Sequence, residues 1–276
     1  MKLRSIRILL LAPVVLFGLV YVVGVLIVAT DHRSIGTLES SAVNPEVIVL
    51  FGASGTAGDG ILKAALTDPD IRKIYVITRR ATPRIAEGIA LGKVQMTQHM
   101  DYLNYADIHE QISEVDTVYW AIGISAVGTD EETYGKIHTD FPMRFVQEWT
   151  DINHNSDLSF HFISSSDLSE SSSAMWVREK IRAEKALFGF AEGSNLRVIA
   201  YRPDYIGPTK EVASPVQNLI YGFFRPVGAA VKAVEIGGAM LEVTARGSNI
   251  ENGTKISTSA IIQFSDAYHR RHHGAG

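Results

Sequence analysis

The sequence predicts an α/β fold built on a doubly wound parallel sheet, with a small C-terminal lobe and an N-terminal transmembrane helix. Three observations predict it. In residues 46–58, EVIVLFGASGTAG, a short β-branched run breaks into glycines spaced GxxGxxG and then into helix formers, ILKAALTD. After it, strand-like runs alternate with amphipathic ones, the repetition that builds a parallel sheet with right-handed crossovers. Finally, 276 residues with 46% hydrophobic side chains, 20% charged ones and a net charge of −4 suit one α/β domain with a small appendage. No basic surplus points to nucleic acid. The absence of cysteine removes disulfides, thiolate nucleophiles and Cys-ligated metal, and fits an oxidising or a reducing compartment equally.

The first segment differs from everything after it. Residues 8–30 form 23 consecutive uncharged positions, which at helical rise extend about 34 Å, enough to cross a bilayer core. This predicts a single-pass membrane anchor in residues 1–30, with the endoplasmic reticulum as a candidate membrane. A cleaved signal peptide is the competing reading, but its apolar region is usually about 7–15 residues long, and Val28-Ala29-Thr30 is a poor cleavage site. Lys2, Arg4 and Arg7 precede the span, so the positive-inside rule puts the N-terminus in the cytosol and the domain across the membrane. The triplet from Asn252 to Thr254 is a possible glycosylation acceptor, whereas soluble dinucleotide enzymes usually work in the cytosol, and the orientation stays open. Residues 31–45, polar with Ser, Gly, Thr and Pro, read as a tether.

Residues 46–208 carry the alternating pattern. The run at the start of 46–58 reads as an interior strand, and its glycine turn presents backbone N–H groups at a helix N-terminus, a phosphate cradle. Gly52 suits the positive φ of the turn, Gly55 lets a pyrophosphate approach, and Gly58 lets the helix pack closely on the strand. Ser54, Thr56 and Ala57 complete the cofactor-binding turn. Further strands are predicted over 71–78, 93–100, 116–122, 159–164 and 196–201, and helices over 131–151 and 171–191. The second strand ends in Arg79 and Arg80, where an acidic residue would accept from a ribose 2′-OH and arginine would pair with a 2′-phosphate; this favours NADP(H). Asp101 and Tyr102 are placed beside the adenine, and residue 123 beside the dinucleotide crevice. Residues 209–276 are less regular and predict a small lobe over the cofactor, with His269 to His273 as a solvated tail and no metal site.

GASGTAG, TRR, FISSSD, a helix with Lys180, and YRPDYIGP together resemble the atypical branch of the short-chain dehydrogenase/reductase superfamily, and within it the NAD(P)H-binding proteins related to the Tat-interacting tumour suppressor. The resemblance covers about residues 46–208 and implies a Rossmann domain that binds NADPH. It also implies a catalytic serine, and a tyrosine and lysine spaced YxxxK. The serine falls on Ser165, with Ser164 and Ser166 as neighbours, and the lysine falls on Lys180, which would also hold the nicotinamide ribose. The tyrosine position holds Trp176. An indole N–H only donates and does not titrate near neutral pH, so Trp176 cannot serve as the proton carrier.

Two functions follow. One is a membrane-anchored NADPH-dependent oxidoreductase acting on a small or lipophilic carbonyl or alcohol, with Tyr205, Tyr134, His138 or a water as the replacement acid. The other is an NADP(H)-binding scaffold or regulator without redox turnover.

Overall fold

The computed structural model describes residues 2–31, 34–36 and 45–273, with side chains described from residue 13 onward except 14 and 273. In chain order the elements are α1 (Lys2–Thr30), β1 (Val47–Phe51), α2 (Thr56–Thr67), β2 (Lys73–Thr78), α3 (Pro83–Ala90), β3 (Val94–Gln98), α4 (His109–Ile112), β4 (Thr117–Trp120), α5 (Glu131–Gly135), α6 (Phe141–Ile152), β5 (Leu158–Ile163), α7 (Met175–Ala191), β6 (Leu196–Arg202), β7 (Tyr205–Gly207), α8 (Pro215–Phe224), β8 (Ala230–Lys232), α9 (Ala233–Ala245), β9 (Thr254–Ser257) and α10 (Thr258–His273). Seven parallel strands form one sheet in the order β3-β2-β1-β4-β5-β6-β9, and β7 pairs with β8 in a separate two-stranded ribbon. The strand order reverses between β1 and β4, so a crevice opens beyond their C-terminal ends.

Alternation along β1 divides the core. Ile48 and Leu50 point into one layer with Ile61, Leu62, Ile236 and Met240, which belong to α2 and α9. Val49 and Phe51 point into the other, with Trp120, Phe145, Trp149 and Leu187 from β4, α6 and α7. Burial on both faces explains why these strands read as continuous apolar runs.

The helix predicted over 171–191 starts only at Met175. Ser169 and Ser172 hydroxyls accept from the backbone N–H groups of Ser171 and Ala174, holding the serine run in turns that compete with helix. The helix predicted over 131–151 is continuous but contains a π-helical turn at Lys136–Asp140. The C-terminal region is more regular than expected. β9 adds a seventh strand beside β6, α9 joins the main core layer, and the ribbon packs on it through Ile206 and Val231, so α8, none of whose residues is buried, is what stands outside the core.

His269 to His273 lie on α10 and are not a solvated tail: Tyr268 donates to Asp68 at 2.8 Å, and Arg271 pairs with Glu242 at 3.0 Å. Asn252 is also tied down. Its carbonyl oxygen accepts from the Val198 N–H and its amide donates to the Phe188 carbonyl, each at 3.1 Å, which removes it as a glycan acceptor in the folded protein.

The apolar span predicted over 8–30 falls within α1, whose 29 residues are helical throughout. Among the described residues no helix is long and apolar enough to cross a membrane, and the side chains of residues 8–12 and 14 lie outside those described. The predicted tether, 31–45, lies mostly outside the described residues.

Candidate active site

The glycine turn is built as its sequence suggests. Gly52 has φ +77°, and a Cβ there would stand 2.6 Å from the backbone of Ala121 on the neighbouring strand end. At Gly58 a Cβ would stand 2.1 Å from the Gly52 carbonyl oxygen, so only glycine lets α2 start this close to β1. Gly55 is the N-cap of α2 and supplies no side-chain acceptor. The N–H groups of Thr56, Ala57 and Gly58, in the first turn, therefore lack helical partners and carry the positive end of the helix dipole.

A cavity of about 250 Å³ runs from this turn along the end of β2, lined by Gly52, Ser54, Gly55, Arg79, Arg80 and Tyr102, among others. Both arginines are exposed, and neither pairs with a carboxylate among the described residues. They stand as open cations at the far end from the turn. Tyr102 is buried, and that burial raises its phenol pKa, against a smaller lowering by the Arg79 charge. Asp101, expected beside the adenine, is exposed, caps the Leu103 N–H at 3.0 Å, and is absent from the cavity lining. Its carboxylate holds its own turn, and of the two residues expected beside the adenine only Tyr102 lines the cavity.

Across the turn lies a second space of about 420 Å³, where Gly55, Thr56, Ala57, Tyr134, His138, Ser165 and Lys180 meet, with Ile206 at its edge. The three serines after β5 separate here. Ser164 donates to Glu184 at 2.6 Å, and Glu184 also holds Arg202 at 2.8 Å, so Ser164 is committed to a buried structural pair. The Ser166 N–H donates to the Pro203 carbonyl, and the residue is absent from the lining. Ser164 and Ser165 both line the crevice, and of the two only the Ser165 hydroxyl makes no hydrogen bond among the described residues.

Lys180 is buried on α7 and donates to the Ile163 carbonyl at 3.0 Å. Burial brings its ammonium pKa down to about 8, with Glu184 opposing the shift. His138 sits in the π turn, where a locally widened helix is often found at functional sites. Its Nε2 lies 3.2 Å from both the Ile124 N–H and carbonyl. Burial, then the Lys180 charge, takes its pKa down to about 3, so the ring is neutral at physiological pH. Tyr134 packs on it, ring centres 4.1 Å apart, and burial followed by Glu179 pushes its hydroxyl up to about 12.

Of the replacement acids weighed from sequence, Tyr134 and His138 therefore reach the crevice, and Tyr205 does not line it. Trp176 is half-buried and does not line it either. Sequence reasoning missed the cluster beside the turn in which Arg84 bonds Asp59 at 2.7 Å and Glu211 at 3.1 Å while Thr209 bonds Asp59 at 2.5 Å. These groups are too far apart along the chain for any spacing to have announced them.

Solved structures share this architecture. A short-chain dehydrogenase/reductase from Saccharomyces cerevisiae superposes with TM-score 0.61 at 14% identity, covering 79% of this chain and 99% of its own. A 3-oxoacyl-[acyl-carrier protein] reductase from Brucella melitensis gives TM-score 0.59 at 18% identity, covering 79% and 97%. BdcA in complex with NADPH gives TM-score 0.59 at 15% identity, covering 79% and 96%. No protein-family model matches the chain, and no curated protein matches it in sequence. At these identities the likeness establishes the fold, that of the short-chain dehydrogenase/reductase structures.

Proposed function

We propose that the protein is a membrane-anchored oxidoreductase that binds NADP(H) and reduces a carbonyl compound or oxidises the corresponding alcohol. The observation that carries this reading is the meeting of Ser165, Lys180 and Tyr134 beside the N-terminus of α2 in one crevice. A nicotinamide cofactor fits the residues present: the tight glycines leave room for a pyrophosphate on the first-turn N–H groups, and Arg79 and Arg80 offer cations to a 2′-phosphate. Neighbouring structures of this fold hold cofactors, BdcA being one with NADPH.

When bound, the nicotinamide supplies or accepts the hydride. Everything else falls to side chains. Ser165 donates a hydrogen bond to the substrate oxygen, and Lys180 as an ammonium holds the ribose and the developing negative charge. Tyr134, protonated at neutral pH because burial disfavours its phenolate, gives its proton to the oxygen as reduction completes. Neutral His138, fixed against Ile124, packs on the Tyr134 ring and positions it. The membrane part of the proposal rests on the uncharged run 8–30 and on the unbroken helix α1 that contains it.

The test is anaerobic incubation of the purified full-length chain with NADPH and a panel of aldehydes and ketones. Substrate-dependent NADPH oxidation is expected, falling about 10²-fold or more in Tyr134→Phe with NADPH affinity kept within about threefold. A protein that binds NADPH tightly yet does not oxidise it with any carbonyl of the panel would establish the scaffold reading instead.

A further inference from the structure

Helix α8 carries an apolar face that nothing in the domain covers. Val216, Leu219 and Phe223 recur at helical spacing along it, with Leu219 75% exposed, and no residue of α8 is buried. From Val212 to Phe224 there is no charged side chain. The helix is nonetheless firmly set, with Ser214 and Gln217 forming a capping box and Tyr221 filling the space over Gly207. A soluble surface rarely leaves such a stripe in water without a partner.

What lies beside it is α1. Phe17 stacks on Phe223 at 6.3 Å between ring centres, Tyr21 stacks at 5.1 Å, and the Tyr21 hydroxyl donates to the Phe223 carbonyl at 2.9 Å. Gly24 faces Val227, and Val28 faces Gly228, so the glycines let helix and turn come together. Positions 17, 21, 24 and 28 form one stripe along the domain-proximal half of α1. Their neighbours on the helix, Leu16, Leu19, Val20 and Leu26, remain more than half exposed. The two uncovered surfaces are therefore continuous.

We propose that α8 and the turn after it lie in the bilayer interface beside α1, with Val216, Leu219 and Phe224 among the lipid acyl chains. The inference rests on the anchor reading given above. If α1 is in the membrane, Tyr21 stands nine residues inside Thr30, about 13 Å along the helix, and Phe223 must follow it below the headgroups. Arg225, at the end of α8, is paired with Glu235 at 2.7 Å and so brings no bare charge to the interface. The occupant is lipid rather than a protein because the stripe is short, lacks charge, and continues directly onto an apolar helix. β7, whose Ile206 lines the crevice of Lys180, and its connection to α8, whose Pro208 and Val212 line the cavity beside Ser54, then sit at the membrane surface. Substrates of the proposed site are accordingly carbonyl compounds that partition into the bilayer.

The absence of native cysteine makes the test direct. Single variants Val15→Cys, Leu219→Cys, Phe224→Cys and Glu114→Cys of the full-length chain are labelled with a fluorophore and reconstituted in phosphatidylcholine vesicles carrying a nitroxide either near the headgroup or near the acyl-chain end. Glu114 is exposed just ahead of β4, at the end of the sheet opposite the crevice. The expected result is strong quenching at Val15 by the deep nitroxide, and quenching at Leu219 and Phe224 by the shallow one at least threefold above the background level at Glu114. Quenching at Val15 with Leu219 and Phe224 no different from Glu114 would overturn the α8 proposal while leaving the anchor. No quenching at Val15 would overturn the anchor reading and the proposal with it. Efficient cross-linking of Leu219→Cys to a second copy by a short bismaleimide would overturn it in favour of a dimer face.

Discussion

At the scale of single residues, the site turns on which polar groups remain uncommitted. Ser164, Ser165 and Ser166 are indistinguishable by spacing, and only the buried Glu184, itself held by Arg202, singles out Ser165 by occupying Ser164. Lys180 was legible as a position on a helix, but its depressed pKa was not, since the burial that causes it comes from folding. That shift has a measurable consequence. A polyanionic cofactor favours the ammonium, so NADPH binding raises the lysine pKa from about 8 and is coupled to proton uptake above that value. NADPH affinity should fall as pH rises through about 8, approaching tenfold per pH unit, and calorimetry at pH 8.5 in buffers of different ionisation enthalpy should register the proton taken up. Lys180→Met should bind more weakly and lose both effects. Trp176 illustrates the opposite case: the motif position it fills was readable, yet the structure leaves it out of the crevice, and the phenol that lines the crevice with Lys180 is Tyr134, on α5.

At the scale of elements, the parts that follow from local chemistry were readable and those that depend on distant packing were not. β1, its glycine turn and the five following sheet strands are short β-type runs bounded by breakers, mostly apolar, and each lies within a residue or two of its predicted span. β9 escaped because TKIS is only four residues long and pairs with β6 more than fifty residues earlier. The π turn in the helix from Glu131 to Ile152 escaped because periodicity alone does not register one extra residue. The end of β2 makes its own prediction. Arg79 and Arg80 are open cations on the cavity wall, and a charge-assisted pair to a 2′-phosphate contributes about 1.5–3 kcal/mol, so NADPH should bind roughly 10- to 100-fold more tightly than NADH. Replacing both by alanine should bring the two dissociation constants together, as read by cofactor fluorescence titration. Equal constants in the unmodified protein would remove the 2′-phosphate role from this pair.

At the scale of the whole molecule, two buried histidines set an acid limit. His161 joins Tyr201 at 3.0 Å and Thr244 at 3.2 Å, tying β5 and β6 to α9, and burial, then Arg197, holds its pKa down to about 3, as burial does for His138. In the unfolded chain both return to an ordinary value near 6.5. Between about 3 and 6.5 the unfolded chain therefore binds more protons, and stability falls with falling pH, each histidine adding up to about 1.4 kcal/mol per pH unit. Urea unfolding of the wild type between pH 7 and pH 5 should show this slope, and His161→Gln, whatever its stability at pH 7, should flatten it by about half. A different consequence follows from the C-terminal elements that complete the sheet. α9 and α10 complete the layer that α2 begins on the face of Ile48 and Leu50, with Thr244 of α9 bonding Tyr119 and His161, and Arg246 and Arg271 neutralise Glu242 at 2.7 and 3.0 Å in the same layer. A ribosome adds about 5–20 residues per second, so for several seconds after β6 has been made that face would be covered by α2 alone, its β4–β6 side bare, beside a membrane already holding α1 if the anchor is inserted. During synthesis the bilayer and the chaperones would compete for the same surface, and the speed at which α9 and α10 arrive would decide which of them meets it.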